Sequence, residues 1–281
     1  MSYYQASKAH MYYEDIGTGT PIVMIHGFSP DHRLMEGCME PIFQEKKDYR
    51  RIYLDLPGMG QTRDYETINN SDEMLEAVIE LIEKLIPNES FLLAGQSYGG
   101  YMIRGIITKM PERVLGAALI CPMIIPDKED RTLPEHQALQ VDEGFLSTLT
   151  KEERDDFRGI NVKLNEHTWK RYSEEVVSGL KAADYVFLGK IEKAYGYSFE
   201  IDKVEFNKPM VLLTGKQDHI TGYKDVYDIL DNYPRASFSV LETAGHNLQI
   251  DQPQLLNLHI NEWLDRVLLL QRKKLILENK L

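Results

Sequence analysis

Gly95-Gln96-Ser97-Tyr98-Gly99-Gly100 sets a serine in a G-x-S-x-G frame, directly after the apolar run Phe91 to Gly95 and directly before a predicted helix, Tyr98 to Lys109. A serine in so sharp a strand-to-helix turn takes up strained backbone geometry, which lifts its hydroxyl into the open at the helix N-terminus. Glycines two positions to either side remove the side chains that would collide where strand and helix cross. A hydroxyl is a poor nucleophile until a base takes its proton, and a histidine base must itself be oriented by an acid. The chemistry to expect is nucleophilic catalysis by Ser97, with a base and an acid brought from further along the chain.

Competing chemistries leave no such mark. Gly17-Thr18-Gly19 and Gly58-Met59-Gly60 lack the rest of a dinucleotide fingerprint and read as turns. No HExxH, Walker A or paired CxxC pattern occurs, so neither a metal nor a nucleotide is expected, and no cofactor. Cys38 and Cys121 read as reduced thiols, Cys121 as a small core residue at the end of an apolar run.

The elements that must position Ser97 follow from periodicity. Short apolar runs at Pro21 to His26, Arg51 to Asp55, Phe91 to Gly95, Leu115 to Cys121, Met210 to Gly215 and Ala236 to Leu241 predict strands buried on both faces. Helical patterns alternate with them, which is the signature of βαβ units and a mostly parallel sheet: an α/β fold. Asn70 with Glu73 predicts a capping box opening a helix that Pro87 closes, and Gln252 to about Arg272 predicts a C-terminal amphipathic helix. Between Ile124 and Phe206 no strand is evident and charged helical patterns take over, so residues 124–206 are read as a helical cap inserted into a core of residues 1–123 and 207–281.

With 281 residues, 43% hydrophobic and 27% charged, the composition is globular and excludes collagenous, disordered and disulfide-scaffold classes. An excess of 44 acidic over 32 basic residues gives a net charge of -12, which repels phosphate backbones and anionic lipid. Nucleic acid and membrane are therefore not expected partners. The N-terminus has no secretory pattern and no apolar run reaches membrane-spanning length, so the expectation is a cytoplasmic protein, a monomer or homodimer, acting on a small molecule.

Four blocks together carry a resemblance: His26-Gly27-Phe28, Asp55-Leu56-Pro57-Gly58-Met59-Gly60, the turn at Ser97, and the paired loops Gly215-Lys216-Gln217-Asp218 and Ala244-Gly245-His246. Over nearly its whole length the chain resembles an α/β-hydrolase-fold serine hydrolase of the capped, carboxylesterase-like kind. The resemblance implies a triad in the chain order Ser97, Asp218, His246, with the last two on loops after later strands. It also implies an oxyanion hole from the backbone N–H groups of Phe28 and Tyr98, whose side chains would wall the substrate pocket, while His26 braces its loop.

Asp127 is a rival for the acid because some members place it one strand earlier, but Pro126 and the cap entry make it the poorer candidate. Asp55 is read as satisfying backbone donors in its turn. His10, His32, His167, His219 and His259 are read as surface residues. His136 and Trp169 in the cap are candidate substrate contacts, as are Tyr172, Tyr185, Phe187 and Tyr195, although aromatics at helical spacing more often form core. Arg171 and Lys181 are the basic residues that could admit an anionic substrate if they point inward. The implied activity is cleavage of small carboxylic esters through an acyl-enzyme. Amide, lactone, thioester or carbon–carbon cleavage, or a non-catalytic receptor of the same fold, stand as alternatives.

Overall fold

The computed structural model describes residues 2–203 and 205–278. Ten strands occur among them: β1 (Ser2–Gln5), β2 (His10–Ile16), β3 (Thr20–Ile25), β4 (Tyr49–Leu54), β5 (Phe91–Gln96), β6 (Val114–Ile120), β7 (Gln140–Val141), β8 (Lys163–Leu164), β9 (Met210–Gly215) and β10 (Ala236–Leu241). Eight of them make one sheet in the order β1-β2-β4-β3-β5-β6-β9-β10, antiparallel at β1–β2 and β2–β4 and parallel elsewhere. All six strands expected from apolar runs are present, each within two residues of its expected start.

β1 and β2 went unrecognised because they are half-buried and carry polar residues between tyrosines, so they lack the continuous apolar run of a central strand. Helix α1 (His32–Phe43), which holds Pro41 within it, also escaped notice.

Side chains alternate across the sheet. Ile25, Leu93, Leu119 and Leu212 face one apolar layer with α2 (Ser71–Leu85) and α3 (Tyr98–Lys109). Met24, Leu92, Ala118 and Leu213 face the other, with α1 and the C-terminal helix. β10 departs from the expectation of two buried faces: as the edge strand it is half-buried over most of its length.

At α2, Asn70 accepts from the Glu73 N–H at 2.9 Å as expected, but the Glu73 carboxylate returns to the Asn69 N–H and to Lys8, so the box is only half closed. The helix stops at Ile86, before Pro87.

Between β6 and β9 lies the inserted helical region. It contains α4 (Glu143–Leu146), α5 (Lys151–Ile160), α6 (Glu166–Tyr172), α7 (Ser178–Leu180) and α8 (Tyr185–Glu192). The expectation of no strand here is corrected: β7 and β8 pair in parallel, Gln140 with Lys163 and Val141 with Leu164. Two residues per strand are too few for any period to show. After β10 come α9 (Leu248–Asp251) and α10 (Pro253–Glu278), which runs past the expected end near Arg272. No helix among the described residues is long and apolar enough to cross a membrane.

Candidate active site

Ser97 caps α3 at the end of β5, with φ at 54°, a left-handed value that costs a residue with a Cβ about 1 kcal/mol or more. Packing enforces it. A Cβ at Gly99 would lie 2.0 Å from the Ile25 carbonyl oxygen, and one at Gly95 would lie 2.8 Å from the Gly99 carbonyl carbon. Only glycine at both places lets strand and helix approach so closely. The Ser97 N–H donates to the Ile120 carbonyl at 2.9 Å, and its carbonyl accepts from Gly100 and Met123.

Asp218 and His246 meet beside this turn from the loops after β9 and β10. His246 Nδ1 lies 3.0 and 3.1 Å from the two Asp218 oxygens. Asp218 is fully buried and further accepts from the N–H groups of Ile220 and Thr221 at 2.9 and 3.0 Å and from the Thr221 hydroxyl at 2.8 Å. Burial alone would raise its pKa, but the facing imidazole and the Thr221 donors outweigh that and hold the carboxyl below its ordinary range. The group is thus an anion aimed at Nδ1.

Among the described residues the partner of His246 Nε2 is the Gln96 side-chain nitrogen at 3.3 Å, not the Ser97 hydroxyl. That amide also donates to the His246 carbonyl at 3.2 Å, which orients its nitrogen toward the ring. A donor facing Nε2 and an anion facing Nδ1 select the tautomer protonated at Nδ1, with a lone pair on Nε2. Ser97 and His246 are both buried, each keeping 8% of its surface exposed.

The remaining expectations resolve by position. Asp127 is exposed and caps a short turn, Lys128–Asp130, with its side chain on the Glu129 N–H, while Asp218 holds His246. His26 accepts from the Leu56 N–H through Nε2 at 3.0 Å, bracing the loop of Phe28. Burial pulls its pKa down, which suits a neutral brace. Asp55 accepts from the N–H groups of His32 and Gln61 at 2.8 Å, as expected of a turn-organising carboxylate.

The surface reading of His32 is corrected: it is buried, with Nδ1 2.8 Å from Asp55. His219 is likewise no plain surface residue, because its half-buried ring lies 4.6 Å from that of His136. Cys38 and Cys121 are both free and buried.

Phe28 and Tyr98 lie together, ring centroids 5.2 Å apart, and Tyr195 from the insertion joins them, edge-on to Phe28 at 5.0 Å and stacked on Tyr98 at 4.9 Å. Of the two candidate contacts in the insertion, His136 reaches the loop of Asp218 through His219. Trp169 packs against Phe157 and Tyr172 among the insertion's own helices. Arg171 does not face the site: it binds Glu175 and the Gln249 carbonyl. Lys181 is exposed.

Two positioning groups had gone unnoticed. Thr221 bonds Asp218 as described, a side chain three residues beyond its partner that resembles an ordinary turn. Asp251 accepts from the N–H of Gly245, next to His246, at 3.0 Å and from those of Val162 and Lys163 in the insertion at 3.3 and 3.1 Å. Its burial pushes its pKa up to about 6. Nothing in the local sequence around Asp251 marks those distant donors.

The fold has counterparts among known proteins. A solved alpha/beta superfamily hydrolase from Oenococcus oeni PSU-1 superposes with a TM-score of 0.86 at 31% identity, covering 95% of this chain and 99% of that one. Methylesterase 8 of Arabidopsis thaliana is 25% identical over 226 residues, 77% of this chain and 79% of the relative. The (E)-2-((N-methylformamido)methylene)succinate hydrolase of Acinetobacter baylyi is 24% identical over 256 residues, 90% of this chain and 94% of the relative. Residues 20–253 match the alpha/beta hydrolase fold family, and with the sheet order and the turn at Ser97 in agreement, this chain is a hydrolase belonging to that family.

Proposed function

We propose that the protein hydrolyses small carboxylic esters through an acyl-enzyme, with Ser97 as nucleophile, His246 as general base and acid, and Asp218 orienting the imidazole. The observation that carries this reading is the pairing of His246 Nδ1 with the buried Asp218 carboxylate at 3.0 and 3.1 Å beside the strained turn of Ser97. Esterases among its relatives support the same bond class. Residues 124–206 act in this reading as a cap over the carboxyl ends of the strands.

Substrate binding brings the Ser97 hydroxyl to His246 Nε2 in place of the Gln96 amide. Ser97 Oγ bonds to the ester carbonyl carbon as its proton passes to Nε2. The backbone N–H groups of Phe28 and Tyr98 hold the oxygen that becomes negative. The Nε2 proton then goes to the departing alcohol as the carbon–oxygen bond breaks. A water, deprotonated by the same nitrogen, releases the acid and restores Ser97. Asp218 stays ionised throughout and stabilises the imidazolium.

Turnover of an activated aryl ester and labelling by a fluorophosphonate test the proposal. Ser97→Ala should abolish both while leaving the folded spectrum unchanged. A variant that kept full turnover would remove Ser97 from the reaction.

A further inference from the structure

Arg131 stands where the chain leaves β6 and enters the insertion. Its half-buried guanidinium is oriented by three carbonyls: Nε donates to Ile125 at 2.7 Å, Nη2 to Pro126 at 2.7 Å and Nη1 to Ile220 at 2.9 Å. Ile220 lies two residues beyond Asp218. Carbonyls fix the direction of the fork and leave its charge unbalanced, and they use three of its five N–H bonds. Asp127, Asp218 and Asp225 act on it from beyond ion-pair range. Arg104, Arg158 and Arg171, by contrast, pair with Asp202, Glu143 and Glu175.

A second polar group, unlike the guanidinium, has no hydrogen-bond partner among the described residues. The Tyr195 hydroxyl makes no hydrogen bond to any described residue, whereas the hydroxyls of Tyr98, Tyr101 and Tyr172 are bound to Ser71, the Tyr197 N–H and Asp156. Its ring stacks on Tyr98 and meets Phe28 edge-on. A cavity of about 580 Å³ opens beside it, walled in part by Ile125 and Pro126, the same residues whose carbonyls hold Arg131.

We propose that Arg131 and Tyr195 form an anion subsite for a carboxylate borne on the acyl part of the substrate, so that half-esters of short dicarboxylic acids are preferred. The inference rests on the ester-hydrolase reading and names its substrate class. A half-buried cation loses hydration that an arriving carboxylate restores, and a guanidinium already held in place loses little freedom on binding. The acyl side is favoured because Tyr195 lies against Tyr98, whose N–H faces the acyl oxygen in the proposed reaction. Asp127, Asp130 and Glu192 share the cavity wall with Lys128 and Lys193, so the wall has little net charge of its own and the held guanidinium supplies the directed contact.

The test compares 4-nitrophenyl hydrogen glutarate with its neutral methyl ester. The wild type should favour the anion by about tenfold or more in kcat/KM, chiefly through KM, as a charge-assisted pair implies. Arg131→Met should erase that ratio, Arg131→Lys should keep part of it, and Tyr195→Phe should lower it by about threefold. A variant that merely loosens the fold lowers both rates and leaves the ratio intact, which would overturn the proposal. Calorimetry with glutarate on Ser97→Ala separates the two readings. Glutarate binding that disappears with Arg131→Met, when the wild type cleaves neither ester, keeps the subsite and overturns the ester reading. Efficient cleavage of the neutral ester without preference for the anion does the reverse.

Discussion

The turn at Ser97 and the helical insertion are held by different forces. Around Ser97, β5 and α3 as far as Ile107 are buried, and backbone meets backbone so closely that even a methyl group has no room at Gly99. In the insertion, α5 buries only Phe157, and added Cβ atoms at Gly159 or Gly189 would meet nothing within 4 Å. That region is fastened by polar ties to the core: Asp251 to the Val162 and Lys163 N–H groups, Asn247 to Asn161, Arg171 to the Gln249 carbonyl and Arg131 to the Ile220 carbonyl. Close packing gives Ser97 one geometry. In the insertion the polar ties work beside a narrower apolar contact, through Phe187, Leu188 and Ile191 on one face of the sheet and Leu146, Phe157, Leu164 and Tyr172 on the other.

The largest expected effect tests which loop belongs to the rigid half. Asp218→Asn should cut kcat by about ten-thousand-fold, since an amide cannot hold the imidazole tautomer or stabilise its cation. Asp127→Asn, at an exposed position, should change it by no more than about twofold. Steady-state rates on one aryl ester decide this, and equal losses would mean the acid had been misplaced.

Packing comes next. Gly99→Ala should cost at least about 3 kcal/mol, because the backbone it would strike cannot move without displacing β3. Urea unfolding measures the loss, and a variant near wild-type stability would show that the turn yields more than its contacts allow.

Asp251 tests a polar tie, and the sign of its effect is specific. Its pKa is raised from 3.8 to about 6 in the folded protein, so the stability linked to its proton is fully present below pH about 4 and is lost as pH rises through about 6. The gap corresponds to about 3 kcal/mol. The stability of the wild type relative to Asp251→Asn should therefore fall by up to about that amount between pH 4 and pH 7. A difference that stays constant over this range would mean that the carboxyl titrates normally.

The smallest effect belongs to the open half. Gly189→Ala in α8 should raise stability by up to about 1 kcal/mol, the ordinary helix preference of alanine, with no clash to oppose it. A loss in thermal unfolding would place an unseen neighbour against that helix.

Legibility in the sequence followed the same division. Each central strand was visible because burial on both faces writes an unbroken apolar run, and the turn at Ser97 was visible because strand and helix meet so closely there that Gly95 and Gly99 cannot carry side chains. β1 and β2 were missed because half-buried strands at the sheet's edge carry a diluted pattern. β7 and β8 were missed because a two-residue strand has no period.

What the sequence by itself determined was the sheet, the turn and the residue types for nucleophilic chemistry, since these rest on local periodicity and on the fixed sterics of glycine and serine. Only the tertiary structure decided that His32 is buried on Asp55, that Thr221 and Asp251 hold the Asp218 and His246 loops, that Arg131 is held by three carbonyls, and that Tyr195 packs on Phe28 and Tyr98. The physical reason is plainest for Asp251 and Arg131. A polar side chain is satisfied by backbone groups tens of residues away, and every residue carries such groups, so no pattern in the sequence records which ones will meet.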